Sequence, residues 1–276
     1  MYPAIFARTY PITNSVDVLS AIARDGYMGV QFNMICAGLT SLPDNLPEGI
    51  AEGVAESARS NGLRIAALSG TYNMAHPDLE VRVSSRVGFA NVLEAARRMG
   101  APVVTLCTGS RDPFNMWKYH PDNSSSAAWE ALRGELDYAL TLVDATEVKL
   151  AIEPEPGNVV RDAVTARRLL NEVASPNLGI VLDAANLLSH ESLERQAAVI
   201  SRAIELLGDS ILLAHAKDID TSGQVVAAGH GAVNLELFVA ALRTVGYDGA
   251  LIGHGFAPES TKQVADVLSH LVDDAS

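Results

Sequence analysis

Short apolar runs and longer stretches with helical periodicity take turns along this chain. Residues 4–9 predict a first strand. Behind it, residues 15–25 set Val16, Leu19, Ile22 and Ala23 at helical spacing after a Ser/Asn cap, and Gly26 closes the helix. The unit then recurs. A strand over 28–32 leads to a helix over 47–61, with Pro47 in its first turn and Gly62 just past its end. A strand over 63–68 leads to a long helix over 79–99, whose apolar stripe takes in Val83, Val87, Ala90, Leu93 and Ala96 and which Gly100 ends. Residues 102–106 and 124–145 predict the fourth strand and helix. Four more strands end at Glu153, Asp183, His215 and His254, alternating with helices over about 162–173, 192–207, 235–245 and 259–272.

The strand centres lie roughly 25 to 47 residues apart, room each time for a helical crossover, so the expected sheet is parallel. A doubly wound open sheet alternates in the same way, but it expects a glycine-rich turn after the first strand, and residues 8–14 contain no glycine. The expected fold is therefore α/β, a single (β/α)8 TIM barrel over residues 1–276. A length of 276 residues suits it, since such barrels run to about 250.

The last four strands carry the candidate chemistry. KLAIE (149–153), GIVLD (179–183), ILLAH (211–215) and ALIGH (250–254) are apolar runs that finish in Glu, Asp, His and His. A carboxylate at the end of a buried strand is costly unless something pairs with it. In a parallel barrel all four ends lie at the catalytic face. Glu153, Asp183, His215 and His254 are thus candidate ligands of one divalent metal. Mixed oxygen and nitrogen donors suit Mn, the first expectation, or Zn, Co, Fe or Mg, better than Ca.

Around them stand further candidates. Glu155 lies two residues beyond Glu153 in a Pro-rich turn and is a candidate acid or base, as is Glu153 itself. Lys217 in HAKD is a candidate electrophile or substrate anchor. The loop after the fourth strand, from Cys107 to Asn123, is long enough to expect a function, and Arg111, Trp117 and His120 in it, with Asn73 and His76 after the third strand, are candidate substrate-lid residues. Gly229, His230 and Gly231 could form a backbone nest for phosphate, but a lone GHG is a weak signal and a plain turn is the better reading. No GxGxxG, Walker or GxSxG motif is present.

Composition trims the possibilities. Hydrophobic residues make up 48% and aromatics only 5%, a bias toward small aliphatics that suits helices packed on short strands. A net charge of -13 argues against wrapping a nucleic acid. Cys36 and Cys107 are too few for a disulfide framework and are expected as reduced thiols, which points to a cytoplasmic protein. The first residues lack the pattern of a signal peptide, and no window reaches the roughly 20 apolar residues of a membrane span.

IEPE (152–155), LDAANLL (182–188), HAKD (215–218) and YDGALIGH (247–254) resemble the strand ends of the xylose isomerase-like barrel superfamily, which contains sugar epimerases, sugar isomerases and endonuclease IV-type enzymes. The resemblance covers most of the chain and is strongest from the fourth strand onward. It implies a metal held by Glu, Asp, His and a last Glu, with substrate oxygens chelated to it. Glu153, Asp183 and His215 match that pattern, whereas His254 stands in place of the last Glu. Asn186 stands where epimerases often have His, and is a candidate substrate contact. The implied activity is a metal-dependent isomerase or epimerase that abstracts a proton next to the carbonyl of a small sugar, keto-sugar or derivative, possible as a homo-oligomer. The loss of the usual second acid leaves open a lyase or hydratase acting on keto-sugars or keto-glycosides. An abasic-site endonuclease and a metal-free binding barrel are further alternatives, and neither nucleic acid nor membrane is an expected partner.

Overall fold

The computed structural model describes residues 1–143, 146–188 and 193–273. Its strands are β1 (Tyr2–Phe6), β2 (Gly29–Phe32), β3 (Arg64–Ser69), β4 (Val103–Cys107), β5 (Lys149–Glu153), β6 (Leu178–Asp183), β7 (Ile211–Ala216), a short pair β8 (Asp218–Ile219) and β9 (Val225–Val226), and β10 (Ala250–Gly253). All but β8 and β9 form a closed parallel barrel in chain order, with β10 pairing back onto β1 through Tyr2 opposite Ala250 and Ile5 opposite Gly253. β8 and β9 make an antiparallel hairpin in the loop after β7. The expected (β/α)8 architecture is what forms.

The helices are α1 (Ser15–Asp25), α2 (Ile50–Ser60), α3 (Leu79–Met99), α4 (Ser126–Val143), α5 (Ala163–Val173), α6 (Ala184–Leu188), α7 (Gln196–Leu207), α8 (Leu235–Thr244) and α9 (Thr261–Asp273). Local chemistry sets their ends. Asn14 accepts from the amides of Val16 and Asp17 to start α1, Asp78 caps α3, and Asp162 with Thr165 forms a reciprocal capping box on α5. Gly26 and Gly100 end α1 and α3 in the left-handed conformation, with φ of 99° and 71°.

Several boundaries and faces differ from the sequence reading. The first strand runs over residues 2–6 rather than 4–9, because Ala4, Ile5 and Phe6 exhaust the pairing that β2 offers and the chain turns at once into a 3-10 helix. α2 starts at Ile50, behind a left-handed Gly49, not at Pro47. Ala145 and Ser192, expected at helix ends, lie outside the described residues, and a 3-10 turn over Leu193–Arg195 leads into α7. α6 was not expected at all. Val16, Val83 and Val87 are exposed, and α1 buries Val18, Leu19 and Ile22 instead. In α3 the buried side belongs to Phe89, Val92, Leu93 and Ala96. Phe89 has more apolar surface to hide than a valine, and the adjacent Gly88 lets the helix meet Leu42, whose Cβ would lie 2.7 Å from any Cβ at position 88.

Two apolar clusters result, and strand parity sorts residues between them. Leu150 and Ile152, Ile180 and Leu182, Ala214 and Ala216 face the surrounding helices. Ala151, Val181, Leu213, Ala4, Ala250 and Ile252 plug the barrel interior. Small residues dominate this plug, which fits eight short strands closing on one axis. The next inward position on each strand then opens at the mouth.

Candidate metal centre

That parity rule builds the site. One step beyond Ala151 on the inward side comes Glu153; beyond Val181 comes Asp183; beyond Leu213 comes His215; beyond Ile252 comes His254. Ligand atoms of these four residues all lie within 4.8 Å of one another. All are substantially buried, Glu153 and Asp183 at 6% and 1% exposure. The structure thus brings all four sequence candidates to one point at the mouth.

Hydrogen bonds fix each donor. Asp183 accepts through Oδ1 from the amide of Ala185 at 2.9 Å, capping the unexpected helix α6. Its Oδ2 lies 3.1 Å from Lys217 Nζ and 3.3 Å from His254 Nε2. The turn of α6 swings Asn186 back over β5, where its Nδ2 donates to Glu153 Oε1 at 3.0 Å while its Oδ1 accepts from Lys217 Nζ. The His215 and His254 rings meet edge to face, 4.5 Å between centroids.

His215 is held by a directed relay. Thr105 Oγ1 donates to the carbonyl of Leu68 at 3.5 Å, Gln31 Nε2 donates to Thr105 Oγ1 at 3.2 Å, and Gln31 Oε1 receives His215 Nε2 at 2.8 Å. A backbone carbonyl can only accept, so the relay runs one way and the Nε2 of His215 carries a proton. Its Nδ1 then faces Glu153 Oε1 at 3.1 Å. Two lone pairs at that distance need a cation between them, either a proton or a metal ion.

The charge environment matches. Burial works to raise the pKa of Glu153, but His215 outweighs it and the carboxylate stays below its ordinary range. Burial opposes ionisation of Asp183 too, and Lys217 and His254 overcome it, holding Asp183 ionised far into acid. His215 is raised, since the pull of Glu153 exceeds the effect of burial. Burial and the neighbouring His215 lower His254, favouring the neutral imidazole that a metal ligand requires. Two carboxylates and two imidazoles fit a divalent transition metal, and the residues present pass that test.

Above the cluster lies a cavity of about 370 Å³, lined by Glu153, His215 and His254 below and by Glu155, Trp117 and Met116 on one wall. Glu155 is outside β5, which ends at Glu153, yet it still faces the cavity. Burial and the adjacent Glu153 push its carboxyl up to about 8. Lys217 and Asn186 do not line the cavity; Lys217 is spent on Asp183 and Asn186, and Asn186 on Glu153. Burial and Glu153 raise the Cys107 thiol, so it stays protonated beside the cluster.

The other lid candidates serve the loops themselves. Asn73 bonds the amide and carbonyl of Ser110, Arg111 donates to the carbonyls of Ala75 and His76, His76 bridges Asp78 and the carbonyl of Pro113, and His120 accepts from the amide of Asp122. None of the four lines the cavity. The next loop joins the same body: Asn123 donates to the carbonyl of Gly157 at 2.8 Å, and Asn158 to that of Met116 at 2.9 Å. At Gly157 a Cβ would sit 2.1 Å from the carbonyl oxygen of Trp117. At residues 229–231, weighed as a phosphate nest against a plain turn, the backbone amides are already occupied, because Asp218 Oδ2 accepts from Gly229 and Gly231 at 3.0 and 2.9 Å.

Sequence reasoning missed the mouth residues of the first four strands: Phe6 and Arg8 after β1, Gln31 and Asn33 at β2, Ser69 and Thr71 at β3, and Thr105 at β4. Phe6, Gln31, Ser69 and Thr105 sit at the inward parity within their strands, the same signal that marks Glu153; Asn33 and Thr71 continue it just past strand ends, and Arg8 comes from the 3-10 helix Ala7–Thr9, which strand parity does not govern.

A family model for the xylose isomerase-like TIM barrel matches residues 19–271. No curated protein matches the sequence significantly. Among solved structures, the chain superposes with a TM-score of 0.76 on the IolI protein with bound zinc, at 18% identity and covering 100% of this chain and 99% of that one. It superposes with a TM-score of 0.75 on the apo form of YcjR, the 3-keto-D-glucoside 4-epimerase of E. coli, at 16% identity over 97% and 98% of the two chains. It also matches a xylose isomerase-like TIM barrel/4-hydroxyphenylpyruvate dioxygenase fusion protein at a TM-score of 0.71 and 18% identity, covering 96% of this chain but only 41% of that longer one. At these identities the superpositions speak to fold.

Proposed function

This chain belongs to the xylose isomerase-like TIM barrel family, and we propose that it is a metal-dependent isomerase or epimerase that abstracts a proton next to the carbonyl of a small sugar, keto-sugar or derivative. The observation that carries this reading is the four-donor cluster at the floor of a cavity of about 370 Å³, a volume within the range of small-molecule sites. Glu153, Asp183, His215 and His254 would hold the ion. When bound, a divalent metal supplies stabilisation of negative charge developing on substrate oxygens. Mn remains the first expectation, and the zinc in IolI makes Zn its nearest rival.

The protein's own groups divide the remaining work. Glu155 faces the substrate space with a carboxyl pushed up to about 8, poised to exchange a proton near neutral pH. Glu153 stays ionised beside it, so the two acids have environments that drive their proton affinities apart. Lys217 acts through Asp183 and Asn186 as a positioning group. Trp117 offers an apolar ring face on the wall. His254, in the place of the family's usual last Glu, is a neutral imidazole that can ligate or carry a proton.

A second reading, elimination from a keto-sugar or keto-glycoside, is supported by the protonated Glu155, which could deliver its proton to a leaving oxygen. YcjR, which resembles this chain in fold, is named for a keto-glucoside. One experiment tests both. Protein loaded with Mn or Zn is incubated with ketoses and 3-keto-glycosides in deuterated water, and products are followed by NMR and mass. Deuterium at the carbon next to the carbonyl, with unchanged skeleton and dependence on Glu153, supports isomerisation; splitting of the substrate supports elimination. Absence of both across the panel, in protein that binds metal stoichiometrically, overturns the proton-abstraction reading for those compounds.

A further inference from the structure

The cavity above the metal cluster has a second end of opposite character. Among the described residues lining it, Arg8 is the only Lys or Arg. It follows β1 by two residues, and β1 stands four strands from β5 in the ring of eight, across the mouth from Glu153 and Glu155. Arg8 is exposed, and no carboxylate, carbonyl or ring of the described residues engages it. Several other arginines of this acidic protein are paired: Arg86 with Glu135, Arg98 with Glu52, Arg167 with Asp209.

Beside Arg8 on the lining is Asn33, only 2% exposed. Its Oδ1 accepts from the backbone amide of Ile35 at 3.1 Å and from Ser41 Oγ at 3.2 Å. A backbone amide can only donate, so that end of the side chain is the oxygen and the NH2 is the other end. No acceptor among the described residues receives that NH2. The cavity lining thus offers an amide with unspent donors and a guanidinium without a protein counter-charge among the described residues, both free to meet a ligand.

We propose that Arg8 and Asn33 form an anion-binding corner, and that the substrate carries a carboxylate or phosphate at the end remote from the reacting carbon. The proposal rests on the functional reading above and names the substrate class for that site. A neutral sugar would leave the guanidinium with nothing to neutralise. An anionic one would find at this corner the compensation it needs to enter a cavity floored by carboxylates in a protein of net charge -13. The other backbone cradle near the mouth is closed to it, since Asp218 fills the nest at residues 229–231.

D-Fructose, D-fructuronate and D-fructose 6-phosphate share a C2 ketone and differ at C6 as neutral, carboxylate and phosphate. Their binding is measured by calorimetry on wild-type protein, Arg8→Gln and Asn33→Asp. The second variant keeps the oxygen that caps the turn at Ile35 and replaces the NH2 by a negative charge. At least one anionic sugar should bind wild type about tenfold to a hundredfold more tightly than D-fructose. Both variants should abolish that preference, read in each protein as the ratio of anionic-sugar to D-fructose affinity, and which anion is preferred tells carboxylate from phosphate. Arg8 is exposed, so its variant reports even if Asn33→Asp proves unstable. Equal affinity for neutral and anionic sugars, no binding by any of the three, or a preference that survives Arg8→Gln overturns the corner. The two readings fail separately. Arg8-dependent anion binding without any deuterium exchange sinks the proposed chemistry alone, and Glu153-dependent exchange without anion preference sinks this corner alone.

Discussion

Along β5, β6, β7 and β10 the inward side chains at the mouth are Glu153, Asp183, His215 and His254, and each already holds a neighbour through its polar atoms. At or just past the ends of β1, β2 and β3, Arg8, Asn33 and Ser69 reach the cavity, and there guanidinium, amide and hydroxyl donors meet no acceptor among the described residues. The first side is charged, interlocked and self-sufficient. The second is polar and unspent. Interlocking would preorganise the groups proposed to hold an ion and steer protons, and unspent donors would be free to read the rest of a ligand. On that proposal, one barrel mouth separates chemistry from recognition by strand number.

Asp183→Asn should do the greatest damage. It leaves Lys217 buried without its carboxylate partner, and a broken buried pair of this kind costs about 3 to 5 kcal/mol of stability. Denaturant unfolding of the chelator-treated protein measures it, and metal uptake should vanish as well. A loss of under about 1 kcal/mol, the scale of a surface pair, would show that the interlocked side is not interlocked.

Gln31 crosses the divide, reaching from β2 to His215. Gln31→Leu removes the acceptor that fixes the imidazole, and metal affinity measured by chelator competition should fall about 10- to 100-fold, as for other groups that orient a ligand from behind. Thr105→Val, which cuts the same relay one step earlier, should shift affinity in the same direction. Unaltered affinity in both would confine His215 to its own side of the mouth.

The pH response is smaller and has a definite sign. Glu155 is raised from its ordinary 4.5 to about 8 by burial and by Glu153. The folded chain thus holds this proton more tightly than the unfolded chain, and the associated stability is complete below 4.5 and lost as pH climbs to about 8. In metal-free protein, Glu155→Gln should gain on wild type in thermal stability through that window and keep a constant offset above it. A flat offset throughout would place Glu155 in water. Least affected of all should be Ser69→Ala on the unspent side, whose folding stability should change by no more than about 0.5 kcal/mol because the lost hydroxyl has no partner to abandon.

The barrel and the four-donor cluster were legible because both rest on periodicities the chain displays openly. Alternating apolar runs and capped helices announce the fold, and a charged residue after an apolar run is conspicuous. Gln31, Asn33 and Thr105 obey the same inward parity, but neutral polar residues at strand ends attract no notice unless every strand is extended by the rule that singles out Glu153. The loops resisted for another reason. Asn73, His76, Arg111 and His120 are residue types that often do chemistry, yet an irregular loop has no period from which to read where a side chain points; the first three fasten two loops to each other, and His120 holds a turn within its own loop. Val83 and Val87 misled because helical spacing names a stripe, not the side on which a larger neighbour such as Phe89 will be buried.

Trp117 belongs to a wall knitted from three successive loops, with Gly157 pressed so closely on its carbonyl that even a methyl group is excluded. Position 157 does not itself line the cavity, yet Gly157→Ala would have to push the Trp117 backbone aside, so the shape of the cavity on the Glu155 side depends on a residue that never meets its contents.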